Sequence, residues 1–188
     1  MTTRIPHDVD ALFDLYQARG RESYGESITQ IEHALQCAAL ARNAGANDAL
    51  VVAALFHDVG HLVTGEQARD DFDLEVDDDD HEARGARVLA PIFGPAVAQP
   101  VALHVTAKRW RCAVEPEYLE RLSPASRATL TAQGGPLSPT ECERFERHPG
   151  FKDAVALRDW DDTGKRPHLD VGTLEDWRAL VSSLADAR

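Results

Sequence analysis

Residues 50–61 read Leu-Val-Val-Ala-Ala-Leu-Phe-His-Asp-Val-Gly-His and set two reactive side chains at the end of an apolar run. The eight apolar residues at positions 49–56 include no turn former, so the run reads as a segment buried on all sides. His57 and Asp58 follow it directly, and a buried imidazole–carboxylate pair is costly unless something compensates. A divalent or trivalent first-row metal compensates well, because neutral imidazole and carboxylate are both good ligands. A core histidine hydrogen-bonded to its neighbour also accounts for the pair. Taken alone, the stretch leaves both readings open.

The elements that must position these groups read as helices. Residues 8–19 place Val9, Leu12, Phe13 and Tyr16 at helical spacing behind an acidic first turn, and Gly20 ends them. A second helix is expected from Ile28 to Asn43, central and buried, with His33 inside it and Gly45 stopping it. Asn47 and Asp48 cap the helix that ends at His57-Asp58. Residues 64–76 have no clear period and read as loop; the acids at 77–80 lead into a helix from His81 to Ala90. Pro91, Gly94 and Pro95 make the next break, and a helix over 97–111 follows, with Pro100 placing a start or kink in its first turns. Shorter helices are expected over 117–121, 124–133, 139–147, 151–162 and 174–187. No stretch shows sustained β alternation. The fold class is all-α, a compact helical bundle, with residues 1–188 as one domain.

Composition narrows the function classes. Asp plus Glu number 32 against 20 Lys plus Arg, a net charge of −12, which argues against nucleic acid as a partner. A small anion held by a few local cations is not excluded by that balance. No apolar stretch approaches the roughly 20 residues of a membrane span, and residues 1–8 lack a signal-peptide core. Cys37, Cys112 and Cys142 are far apart and in no Cys-x-x-Cys spacing, which reads as reduced packing residues of a cytoplasmic protein. The oligomeric state is not legible.

Of eight histidines, His33, His57, His61, His81 and His104 fall on expected helices or their ends, and each alone passes for a core or surface histidine. In the order His33, His57-Asp58 and then a distal Asp161, they resemble the HD superfamily of metal-dependent enzymes. The resemblance narrows with segments 24–37, 54–61, 104–110, 122–126 and 133–136, and with Arg158 and Trp160-Asp161 ahead of Gly164-Lys165. Across nearly the whole chain these resemble the HD-domain oxygenases of phosphonate catabolism. One departure is that Tyr24 stands two residues before Glu26, where the family pattern has a spacing of three.

The resemblance implies a mixed-valent Fe(II)/Fe(III) pair, with O2 as co-substrate. His33, His57, Asp58 and Asp161 serve one ion; His81 and His104 serve the other, with Asp58 bridging. All-nitrogen-and-oxygen ligation with open positions suits iron better than structural zinc. The implied reaction cleaves the carbon–phosphorus bond of a small-molecule 1-hydroxyphosphonate bearing an amino or trimethylammonium group, giving phosphate and glycine or glycine betaine. Asp58, His61 and Lys108 are the expected catalytic groups.

Lys108, four after His104, and Arg158, three before Asp161, share helix faces with ligands and suit a phosphonate; a surface charge is the alternative for each. His61, four after His57, can donate to the same anion. Ser126, Thr129 and Gln133 recur at i, i+3 and i+7, either a polar lining or an exposed amphipathic face. Glu26 can pair with a cationic nitrogen of the substrate. Tyr24 either occupies an iron position until substrate arrives, as in those relatives, or packs on its turn.

Two rival functions use the same residues differently. A phosphohydrolase of nucleotides or phosphomonoesters needs only His33, His57, Asp58 and Asp161 with one metal. A non-catalytic sensor needs no full ligand set, and such proteins usually lack a ligand that is present here.

Overall fold

The computed structural model describes residues 5–25, 27–63, 80–122 and 124–187. The expected loop at 64–76 and most of the acids at 77–80 lie outside them. Helix α1 (Val9–Arg19) begins where the Asp8 side chain accepts from the Ala11 amide. It ends at Gly20, where a Cβ would lie 2.4 Å from the Tyr16 carbonyl oxygen, so only glycine fits. A short antiparallel hairpin, β1 (Ser23–Gly25) and β2 (Ile28–Thr29), pairs Ser23 with Thr29 and Gly25 with Ile28. Helix α2 (Gln30–Asn43) follows, started by a capping box between Thr29 and Glu32. It begins later than the periodicity predicts because Ile28 and Thr29 are spent on the hairpin, although Ile28 is still buried.

Helix α3 (Asp48–Phe56) is capped by Asn47, as expected, and α4 (Val59–Leu62) turns away after His57 and Asp58. Helix α5 (His81–Phe93) runs three residues past its expected end, with Pro91 inside its last turn. The break falls at Gly94 instead, whose φ of 78° suits glycine. Helix α6 (Pro95–Val114) takes Pro95 as its first residue, so Pro100 is internal rather than the start. The chain closes with α7 (Pro116–Arg121), α8 (Pro124–Ala132), α9 (Pro139–Glu146), α10 (Phe151–Thr163), a 3-10 turn (Leu174–Trp177) and α11 (Arg178–Asp186). The fold is all-α apart from the hairpin. Among the described residues no helix is long and apolar enough to cross a membrane.

Helix α3 is the hub. Residues Leu50 to Phe56 are all buried, and α2, α6, α10 and α11 pack around them. Phe56 joins three elements through aromatic contacts with Phe13 and Tyr16 of α1 and Phe93 of α5. The twenty residues of α6 form a spine of about 30 Å shared by two lesser clusters. One gathers Ala107, Leu137, Cys142, Phe145 and Ala154; the other gathers Cys112, Tyr118, Leu122 and Leu130. The reactive helix ends are thereby fixed from several sides.

Phe13 is wholly buried, edge-on to Phe56, with Arg178 over its ring. Phe13→Ala should lower unfolding stability by about 3–5 kcal/mol. Urea denaturation followed by circular dichroism measures this; bound metal in the native fraction should be unchanged.

Candidate metal centre and its pocket

Six side chains from six elements converge: His33 on α2, His57 capping α3, Asp58 opening α4, His81 beginning α5, His104 on α6 and Asp161 on α10. All six are buried. Asp58 divides its oxygens between two histidine pairs. Its Oδ2 lies 3.5 Å from His33 Nε2 and 3.3 Å from His57 Nε2, while its Oδ1 lies 3.6 Å from His81 Nε2 and 3.8 Å from His104 Nε2. Asp161 Oδ1 joins the first group, 3.4 Å from His33 Nε2.

The backbone sets the tautomers. His33 Nδ1 meets the Gly164 carbonyl at 2.9 Å, His57 Nδ1 meets Ala54 at 2.9 Å, and His104 Nδ1 meets Val101 at 2.7 Å. A carbonyl only accepts, so each Nδ1 carries a proton, and each ring, when neutral, presents a lone pair at Nε2. These lone pairs face one another, 3.2 Å apart between His33 and His57. The Nε2 atoms of His81 and His104 are 3.1 Å apart. Such a cluster is unfavourable without a positive charge at its centre.

The titration behaviour agrees. Burial opposes charging His57, but Asp58 and then Asp161 outweigh it and raise the pKa to about 9, so a proton is held where a cation is wanted. Burial and the neighbouring His57 bring His104 down to about 4, and burial with His104 holds His81 well below its usual value. Asp58 is buried, which favours its acid form, yet His57, His61 and His81 keep its carboxyl well below the usual range. Neutral imidazoles and ionised carboxylates are the forms that bind metal. The donor set therefore fits two cations sharing Asp58.

Close approach depends on two glycines. A Cβ on Gly60 would lie 1.9 Å from the His81 carbonyl oxygen, so only glycine lets α4 and α5 cross where His81 enters the centre. A Cβ on Gly164 would lie 2.7 Å from Cys37 Sγ, and it is the Gly164 carbonyl that orients His33.

A cavity of about 230 Å3 opens on the centre. His61, Lys108, Ser126, Thr129, Gln133, Arg158 and Tyr24 all line it, together with Asp58, His81, His104 and Asp161. Lys108 is buried and donates to Thr129 Oγ1 at 3.0 Å; burial, then Arg158, lower its pKa to about 8. Arg158 is buried too, paired with Asp161 Oδ2 at 2.7 Å and with Asp162. Gln133 lies just beyond the end of α8, and its buried Oε1 has no hydrogen-bond partner among the described residues. His61 is exposed and stacks on His81, with ring centroids 4.0 Å apart. Tyr24 stacks on His33 at 4.0 Å and donates to Asp161 Oδ1 at 3.3 Å, so it belongs to the site rather than only to the turn. Glu26 lies outside the described residues.

Four contributors escape sequence reasoning. Tyr118 accepts from Arg158 Nε at 3.0 Å and donates to Asp162 Oδ2 at 2.5 Å, a link between residues 40 apart in the chain. Lys165 lies 3.7 Å from Asp161 Oδ1, and Gln30 lines the cavity. Cys37, one turn after His33, brings its sulfur 3.7 Å from His33 Nε2 while donating to the Trp160 carbonyl. The available signals are i+4 spacings, Cys37 after His33 and Lys165 after Asp161. Burial, then Asp161 and Asp58, raise the pKa of Cys37 and keep it a thiol.

The HD domain family matches residues 31–132, the segment that holds five of the six converging side chains, all but Asp161. Over 175 residues the chain is 43% identical to a hydroxymethylphosphonate dioxygenase of Gimesia maris, covering 93% of this chain and 87% of that protein. It is 37% identical over 181 residues to the glycine-betaine-forming [1-hydroxy-2-(trimethylamino)ethyl]phosphonate dioxygenase of Leisingera caerulea, covering 95% and 90%. An uncharacterised protein of Acanthamoeba polyphaga mimivirus is 34% identical over 190 residues, covering 95% and 82%.

Because Gly60 sets the approach of His81, Gly60→Ala should weaken the His81–His104 half while leaving the fold intact. Bound metal, measured by mass spectrometry after reconstitution, should fall toward half the wild-type content with helical circular dichroism unchanged.

Proposed function

Because the chain belongs to the HD-domain family, in its phosphonate-dioxygenase branch, we propose that it uses O2 and a di-iron centre to cleave the carbon–phosphorus bond of a 1-hydroxyphosphonate, releasing phosphate. The observation that carries this reading is the division of the Asp58 oxygens between two buried histidine pairs. Hydroxymethylphosphonate and the 2-amino- and 2-trimethylammonio-1-hydroxyethylphosphonates are the candidate substrates. His33, His57, Asp58 and Asp161 hold one iron; His81, His104 and Asp58 hold the other. When bound, the iron pair supplies O2 activation and Lewis acidity toward the substrate hydroxyl and phosphonate oxygens.

The remaining work falls to the protein. Lys108 meets a dianion with a point charge that Thr129 holds in place, and Arg158, pinned by Asp161, Asp162 and Tyr118, adds positive charge to the same wall. His61, at the exposed rim of the cavity, donates to a phosphonate oxygen. Ser126 and the unpartnered Gln133 complete a polar lining. Burial of both cations strengthens each contact by keeping water out. Ester hydrolysis needs only His33, His57, Asp58 and Asp161, and it leaves the buried His81–His104 pair without a task.

Iron-reconstituted protein should consume O2 and release phosphate in equal amounts from a 1-hydroxyphosphonate, and Asp58→Ala should bind neither iron. Phosphate release from p-nitrophenyl phosphate without O2 would reverse the assignment to a hydrolase. Lys108 binds the anion in its charged form, which predominates below about pH 8 and is lost above it. The ratio kcat/KM should therefore fall as pH rises through about 8. Lys108→Met should abolish that inflection and lower kcat/KM by about 2–4 kcal/mol, chiefly through KM, with iron content retained.

A further inference from the structure

The three ring protons at the centre are not anchored alike. His57 and His104 each find their carbonyl three residues earlier in the chain, at Ala54 and Val101, so the helix that delivers the ring also delivers its anchor. His33 instead donates to Gly164, 131 residues away, where the chain leaves α10. That acceptor stays in line only if the stretch it belongs to is held against α2.

Gln36 supplies the hold. It is 2% exposed and lies one turn after His33. Its side-chain amide donates to the Arg166 carbonyl at 2.8 Å and accepts from the Arg166 N–H at 2.9 Å. The exchange imitates a hydrogen-bonded pair of an antiparallel ladder, made by a side chain on one side. An amide makes both bonds without carrying charge, which suits a site closed to water. Cys37 comes next, with its sulfur where a Cβ on Gly164 would lie 2.7 Å away. Residues 33, 36 and 37 share one face of α2 and meet residues 164–166 through a ring proton, an amide pair and a close contact. Lys165, whose Nζ lies 3.7 Å from Asp161 Oδ1, stands between the two residues so held.

Resting on the two-cation reading of the centre, we propose that Gln36 is a positioning residue for it. By clamping Arg166 it keeps the Gly164 carbonyl on His33 Nδ1, and so fixes the tautomer of that ring and the aim of its Nε2. A group that orients a ligand through the ligand's other nitrogen sets metal affinity without touching the metal.

The test reads the anchor and the metal separately. Nuclear magnetic resonance of zinc-loaded protein with isotopically labelled histidine should show slowly exchanging Nδ1 protons on His33, His57 and His104. Gln36→Met, close in shape, and Gln36→Ala, in case Met packs poorly, should lose that of His33 alone. Under anaerobic calorimetric titration with Fe(II) the wild type should take up two ions, and both variants should bind one of them about 10–100-fold more weakly. Phe13→Ala, which lowers stability from elsewhere in the core, should change neither reading. Retention of the His33 proton with both affinities unchanged, loss of all three ring protons together, or equal effects in Phe13→Ala overturns the role of Gln36 while leaving the two-cation centre in place. Uptake of a single Fe(II) by the wild type overturns both.

Discussion

A single buried carboxylate governs this architecture. Asp58 has been taken out of water, and its charge must be balanced where it stands. Its two oxygens face different histidine pairs, so four rings on four elements are committed to one group. Removing one partner from such a cluster leaves an uncompensated charge, which is far costlier than the cluster's net worth. The helices are arranged accordingly. Helix α3 is apolar on every side and ends at His57 and Asp58 in the middle of the molecule, and α2, α6 and α10 pack around it and bring His33, His104 and Asp161 beside them.

The pocket cations are supported by the same logic of satisfied partners. Arg158 spends donors on Asp161, Asp162 and Tyr118, and the buried guanidinium stays charged because the two carboxylates outweigh its burial. Tyr118 is anchored in the small cluster under α7 and α8, so that cluster reaches the centre through one hydroxyl. Among the described residues Lys108 depends instead on a single hydroxyl, Thr129. Of the two, Arg158 is the fixed element and Lys108 the titratable one.

Much of this was legible in the chain because it is local. The apolar run before His57 gave both a buried helix and an expensive polar end, and the helix periods located α1, α3 and α10 within a few residues. His81 and His104 became visible only through resemblance, since a histidine opening or lining a helix has no distinguishing period. The hairpin at 23–29 escaped because its strands are too short to alternate. Pro91 misled because a proline inside a helix need not end it, and the chain turns only at Gly94. The Tyr118–Arg158 bond depends on tertiary packing, and no spacing rule encodes a contact between residues 40 apart.

His57 has a second duty. Its Nδ1 proton closes on the Ala54 carbonyl, one of the groups that the last turn of α3 leaves without a helical partner. The ring is thus a helix cap and a candidate ligand at once. Whatever turns or displaces it uncaps the most deeply buried helix, so the state of the centre is written into the hydrogen-exchange protection of its hub.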